Sequence, residues 1–229
     1  MASNTEPALQ FDSIEETIQA FKNGEFIIVL DSPDRENEGD LIIAAESITA
    51  AQMAFMVRYT SGLICAPVTP EIATRLELPQ MVTENTDPKG TAYTISIDLA
   101  DPSSMTTGIS AHDRALTCQA LASPTSSPKD FHRPGHITPL QARSGGVRHR
   151  KGHTEAAVEF CRLAGKQPVG VIAELVEDGE AVEGVAEICQ DNGMMRSRGR
   201  LEFGKRWGIK VCTIEDLVEY VEQTEAGCE

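Results

Sequence analysis

The sequence predicts helices layered on a β-sheet. Helical and strand signals alternate along the chain, short apolar runs of strand length are bounded by turn residues, and capping patterns precede the helical stretches. Ser13 and Glu16 form a capping-box pattern ahead of Ile14, Ile18 and Phe21, and Asn23-Gly24 ends that helix. The runs at 26–30 and 41–45 read as short buried strands. Thr49 and Gln52 repeat the capping signature ahead of Met53, Met56 and Val57, with Gly62 as the stop. Further strands are expected at 62–67, 92–97, 169–175 and 209–213, and helix starts at Thr69-Pro70, Ser110, Thr154 and Thr213. Residues 79–90 are either a mobile lid or an ordinary surface loop. Residues 123–130 (SPTSSPKD) look like a linker, or like an internal loop if the histidines on either side build one site.

With 229 residues, 41% of them apolar, the chain can build one large globular domain or two small ones. A formal charge of −15 argues against nucleic-acid or anionic-membrane partners, so an anionic ligand would need a local basic pocket. No apolar run approaches bilayer length, and residues 1–13 have neither a basic n-region nor an apolar h-region, so a cytoplasmic setting is expected. The six cysteines (65, 118, 161, 189, 212, 228) contain no C-x-x-C and no close pair, which suits reduced core thiols.

Residues 34–40 (DRENEGD) place Asp34, Glu36, Glu38 and Asp40 at every second position between the two apolar runs. In extended chain a period of two sends all four to one side, where repulsion and desolvation call for a compensating cation. The oxygen-rich set points to Mg²⁺ or Mn²⁺ more than to zinc. The alternative is a solvated acidic hairpin. All five histidines fall between 112 and 153, where Arg143, Arg148, Arg150 and Lys151 also crowd. Gly145 to Thr154 then runs into an apolar-periodic helix, and glycines, cations and a hydroxyl at a helix N-terminus make a phosphate cradle. A basic surface turn capped by Thr154 would look the same. His136 follows Pro134-Gly135, read as a turn that aims it into a cleft, and Glu174 lies in the apolar run 169–175, where a buried carboxylate is a candidate acid or base. Each also has a purely structural alternative.

These segments closely resemble the 3,4-dihydroxy-2-butanone 4-phosphate synthase family. The matching stretches are DRENEGD at 34–40, SGLICAP at 61–67, GTAYTISID at 90–98, TTGISAHDR at 106–114, RPGHITPL at 133–140, RKGHTEAAVEFCRLAG at 150–165, GVIAELVEDG at 170–179 and IKVCTIEDLVEY at 209–220. The chain departs from the commoner pattern at Ser32-Pro33 and Ala173, and 180–203 looks longer than usual.

The resemblance implies an α+β single-domain three-layer sandwich of helices around a mixed β-sheet, with a synthase domain at 12–222 between flexible termini at 1–11 and 223–229. It implies a cytoplasmic lyase of riboflavin biosynthesis, converting D-ribulose 5-phosphate to L-3,4-dihydroxy-2-butanone 4-phosphate and formate by metal-assisted enediolate formation and skeletal rearrangement. Without the cyclohydrolase domain that some members carry, it is expected to be monofunctional. Glu36 and His153 resemble ligands of Mg²⁺ or Mn²⁺, up to two ions per site. His136, Glu174 and Asp40 resemble catalytic groups. Arg35, Glu36, Asp40, Thr107, Arg150, Lys151, Gly152, His153, Thr154 and Glu174 resemble the phosphosugar-binding set, with Cys65 close by. A homodimer with sites at the subunit interface is implied. The rival readings are another metal-dependent phosphosugar isomerase or aldolase, and a non-catalytic phosphosugar-binding module.

Overall fold

Two apolar runs near the start of the chain become adjacent strands because both of their faces are covered. The computed structural model describes residues 10–180, 182–183 and 193–226. β1 (Ile27–Leu30) and β2 (Gly39–Ala44) pair antiparallel, and every residue in them is buried. Their side chains alternate between two cores: Ile28, Leu30, Leu41 and Ile43 face one, while Ile27, Val29, Ile42 and Ala44 face the other.

β3 (Cys65–Val68), β4 (Ile97–Leu99), β5 (Phe131–Gln141), β6 (Gly170–Glu174) and β9 (Lys210–Thr213) extend this pair. The resulting seven-stranded sheet has the order β4-β5-β3-β6-β2-β1-β9. It is mixed: β3–β5 and β1–β9 are parallel, and the other neighbours run antiparallel. β7 (Val176–Glu177) and β8 (Gly193–Met194) form a separate ribbon.

Helices α1 (Ile14–Lys22), α6 (His153–Leu163) and α8 (Ile214–Ala226) cover the sheet face of Ile27 and Ile42, with Val147 of the short α5 (Gly146–His149). The opposite face carries α2 (Ala50–Tyr59), α3 (Pro70–Arg75), α4 (Ala111–Ala122) and α7 (Ser197–Trp207). This is the expected three-layer α+β sandwich.

Most expected helix starts hold, because the capping side chains do their work. Ser13, Thr49, Thr69, Ser110 and Thr213 each accept a hydrogen bond from the backbone N–H three residues on. Thr154 does not cap. α6 begins one residue earlier, at His153, with Gly152 at the cap; a Cβ on Gly152 would lie 2.4 Å from Arg150 Nη1. The strand expected at 92–97 is displaced to β4, while Tyr93 and Thr94 make only isolated bridges to Leu140 and Gln80.

The larger correction concerns Pro134-Gly135. These residues form no turn; they lie inside the eleven-residue β5, after a cis Arg133–Pro134 peptide. Glycine is required there by close approach, since a Cβ would sit 2.0 Å from the carbonyl carbon of Ile97 on β4. Residues 123–130 are the internal connection from α4 to β5, closed by a 3₁₀ turn at Pro128–Asp130. At the ends, Phe11 packs on the core and α8 runs to Ala226; the rest of the termini expected to be flexible, 1–9 and 227–229, lies outside the described residues.

Gly135→Ala should therefore separate β4 from β5. A stability loss of about 3 kcal/mol or more in urea unfolding is expected, in the range of severe overpacking. Gly165→Ala, at an open position with φ 70°, should cost only its backbone strain, about 1 kcal/mol.

Candidate active site

The acidic motif does not stay extended. Arg35 N–H donates to the Ser32 carbonyl at 2.9 Å, closing a turn, and Asn37 sits at φ 55° in the left-handed region. Strict alternation is therefore lost. Glu36, Glu38 and Asp40 line one cleft, while Asp34 is exposed and borders a different groove with Lys151, so the expectation of four acids on one side is corrected to three. The loop is held from below by Asp31, whose buried carboxylate accepts from Glu36 N (3.0 Å), Glu38 N (2.7 Å) and Arg35 Nη1 (3.0 Å). Asp31 was not singled out in the sequence. An acid following a buried apolar run, with a tight loop after it, is the signal that marks it.

Asp40 and Glu174 face each other in register across β2 and β6, on the sheet face covered by α6. The Glu174 carboxylate accepts from Ser61 Oγ at 2.6 Å. Asp40 is 2% exposed and its Oδ1 has no hydrogen-bond partner; His153 Nδ1 stands 3.4 Å away. Burial, then Glu174, Glu38, Glu36 and Asp31, hold the Asp40 carboxyl well above the usual range. Burial acts with the opposite sign on His153, taking it down to about 4 with help from Arg35 and Arg150, so its imidazole is neutral at pH 7. His153 Nε2 lies 3.1 Å from the Val29 carbonyl.

Cations and the α6 N-terminus complete the cleft. Arg35, Arg150 and Thr154 line it, and Cys65 and Tyr93 also reach it; the empty space in it and the open solvent at its mouth together come to about 460 Å³. Arg35 pairs with Glu36, and Arg150 pairs with buried Glu155 at 2.7 Å. Arg150 Nη2 also donates to Thr91 Oγ1 at 3.1 Å, and Lys89 Nζ to the Arg35 carbonyl at 2.9 Å, so residues 89–91 are tied across the cleft edge. Gly152 supports α6 as its cap. Lys151 pairs instead with Glu215 at 2.8 Å, beside the groove of Asp34.

Thr107 and His136 lie elsewhere. His136 Nδ1 is 2.7 Å from Asp98 Oδ2, and its backbone N–H donates to Asp98 Oδ1 at 2.8 Å. The turn carrying Thr107 closes on this pair: Asp113 accepts from Thr106 N, Thr106 Oγ1 and Gly108 N, and a Cβ on Gly108 would meet Asp98 Oδ2 at 2.1 Å. β5 is separated from β6 by β3, two strand spacings or roughly 10 Å. One chain thus carries two clusters, an acidic cleft and an Asp98–His136–Thr107 patch. Asp98 and Asp113 went unremarked in the sequence, although Asp98, in the run Ile95-Ser96-Ile97-Asp98-Leu99, meets the same test as Glu174.

The cleft fits a divalent cation by its chemistry: an orphaned buried carboxylate oxygen on Asp40, three further carboxylates (Glu36, Glu38 and Glu174) and a neutral imidazole. Among the described residues no three such side chains converge closely enough to hold an ion as they stand. Glu36 is turned onto Arg35 and would have to leave it.

A buried acid–base cluster under two arginines, with oxygen donors for a cation, defines an enzyme site for an anionic, proton-labile small molecule. The chain belongs to the 3,4-dihydroxy-2-butanone 4-phosphate synthase family, whose model it matches over residues 15–220. Enzymes of that name from Pyricularia oryzae and Saccharomyces cerevisiae are 63% and 48% identical to it, the alignments covering 97% and 93% of this chain and 95% and 100% of theirs. A crystal structure of a 3,4-dihydroxy-2-butanone 4-phosphate synthase in complex with two magnesium ions superposes with a TM-score of 0.91 at 64% identity, covering 94% of this chain and 99% of that one. A cation-free form gives 0.88 at 62%, covering 94% and 100%. The chain is a lyase of riboflavin biosynthesis that converts ribulose 5-phosphate to 3,4-dihydroxy-2-butanone 4-phosphate. Among the described residues no helix is long and apolar enough to cross a membrane.

Asp31→Asn should loosen the acidic loop, because an amide cannot accept from three donors without turning its own N–H₂ on one of them. Faster hydrogen exchange at the Glu36 and Glu38 amides is expected, with a stability loss of about 1–3 kcal/mol. Unchanged exchange at both amides would show that the loop is held by other contacts.

Proposed function

We propose that this chain releases formate as the second product and works as a cytoplasmic homodimer, with Mg²⁺ or Mn²⁺ at the cleft and sites completed across the subunit interface. The catalytic unit is residues 12–222. The buried, unpartnered Asp40 beside Glu174 and neutral His153 carries the reading, because binding a phosphate alone needs no such acid–base set. The four described cysteines are free and buried, which fits the cytoplasm.

Arg35, Arg150, Thr154 and the α6 N-terminus bind the phosphate, with Lys151 joining once it leaves Glu215. Glu36 and His153 would hold the cation, with Asp40 adjacent. Bound ions would supply positive charge beside the C2 and C3 oxygens of ribulose 5-phosphate. The C3 proton is acidified by the neighbouring ketone, and its removal gives an enediolate. Loss of the C1 hydroxyl, migration of the terminal carbon and departure of C4 as formate then need further proton transfers, which one group cannot serve. Asp40, whose carboxyl burial and the neighbouring acids hold well above the usual range, takes up and returns a proton more readily than an exposed carboxylate; Glu174 and His136 provide the other transfers. Residues 89–91, tied across the cleft edge, limit water there.

The dimer reading rests on the two clusters. His136 is 41% exposed at the side chain although Asp98 orients it, and apolar Leu63 and Ile109 stand exposed at 48% and 52%. A second copy that covers these residues would bring His136 and Thr107 over the neighbouring cleft.

Incubation with ribulose 5-phosphate and Mg²⁺ should yield formate and a four-carbon phosphate; a five-carbon isomer as sole product would refute the reaction. His136→Asn and Glu174→Gln should lose about 10²–10⁴ in rate while the folded proteins retain substrate affinity. Normal turnover in either variant removes that residue from the chemistry.

Subunit mixing tests the shared site. Glu36→Gln and His136→Asn homodimers should each be inactive, and after random exchange about one quarter of wild-type activity should return, since half the dimers are mixed and each holds one intact site. No recovery after confirmed exchange would place both residues in the same subunit's site.

A further inference from the structure

We propose that Arg196 and Arg200, at the start of α7, are positioning residues that clamp the acidic loop from the side opposite the cleft and preset it for cation binding. The proposal rests on the metal-assisted reading above and adds residues that none of the matching motifs contains. They come from the stretch between the matching segments that end at 179 and resume at 209.

The contacts converge on one place. Arg196 Nη1 donates to the Glu36 carbonyl at 2.6 Å and also to the Asn37 carbonyl, and its Nη2 lies 3.7 Å from Glu38 Oε1. Arg200 Nη2 donates to Asn37 Oδ1 at 3.1 Å. Gly39 makes room for this: a Cβ there would stand 2.8 Å from Arg200 Cδ. Two guanidinium groups therefore fix Glu36 and Asn37 by their carbonyls and Asn37 again by its amide, where the backbone takes its left-handed φ of 55°. Asp31 holds the amides of the same loop, so its carbonyls and its N–H groups are tied to different partners.

Arg200 shows that the arrangement is not a by-product of packing. It is 4% exposed, yet its Nε and Nη1 have no hydrogen-bond partner, a costly state for a buried cation. Burial draws its pKa down, and Asp31 and Glu38 pull the other way. A methionine of similar length would pack there without that cost, so the cation is kept for its field and its hold on Asn37. In chemical terms the pair lies outside the donor set and fixes the carboxylates that must meet an ion.

The sign of the effect separates positioning from simple electrostatics. Removing a cation beside a divalent-ion site tightens ion binding if charge alone matters. If Arg196 acts through loop geometry, Arg196→Gln weakens binding instead. Titration calorimetry of the full chain with MgCl₂ should show affinity about ten-fold lower in Arg196→Gln, the lower end of the cost of losing an outer-shell partner, with an unchanged melting temperature. Asn37→Gly, which keeps the left-handed backbone and deletes the Arg200 contact, should lose affinity in the same direction. Should Arg196→Gln fail to fold, Asn37→Gly decides by the same criterion. Unchanged or tighter Mg²⁺ binding in Arg196→Gln overturns the proposal. Glu36→Gln is the reference: its loss of binding alongside full binding in Arg196→Gln defeats the clamp alone, whereas intact binding in Glu36→Gln defeats the metal reading and the clamp with it.

Discussion

Asp40 and Glu174 oppose each other on adjacent antiparallel strands, on a face whose next pair inward is Ile42 with Ile172. Two charges about 5 Å apart repel by about 3 kcal/mol at an effective dielectric of about 20, more than an exposed ion pair returns. Glu36 and Glu38 add to that. The surroundings answer the problem in three ways. The Asp40 carboxyl is pushed toward its neutral form, Arg35 and Arg150 face the cluster from the cleft side, and Arg196 and Arg200 face it from α7. A divalent ion is the fourth, and the only one that would give Asp40 Oδ1 a partner.

This constraint explains which sequence signals were readable. β1 and β2 are legible because both faces are buried, leaving unbroken apolar runs that end where the acids begin. The caps at Ser13, Thr49, Thr69, Ser110 and Thr213 act locally and hold. β5 is hidden in the sequence because Pro134 and Gly135 carry turn chemistry, whereas the glycine answers a contact with Ile97 that only tertiary structure supplies. Alternation of the acids fails at Asp34 for a related reason: Asp31 draws the Glu36 and Glu38 amides inward and bends the chain.

Half of the site could be read from types and spacing. Glu36, Asp40, His153, Thr154 and Glu174 meet in one cleft with Arg35 and Arg150. Residues that act on other residues were not legible. Asp31 and Asp98 lie among apolar neighbours with nothing local to show what they hold, and the reach of Arg196 across some 160 positions follows from topology alone. Nor does spacing show that Lys151, next to Arg150 in sequence, turns away to Glu215.

The sheet also decides what each ionisable group can do. Burial raises Asp40 and lowers His153 while the two stand 3.4 Å apart, so both shifts work against the ion pair that such an acid and base would form in water. Glu174, one strand over, is half-buried and bonded to the Ser61 hydroxyl, and Asp34, six residues before Asp40, is exposed. Carboxylates of the same kind thus differ by register and depth. That difference in environment is the physical basis on which the proposed proton transfers would be divided among neighbouring groups.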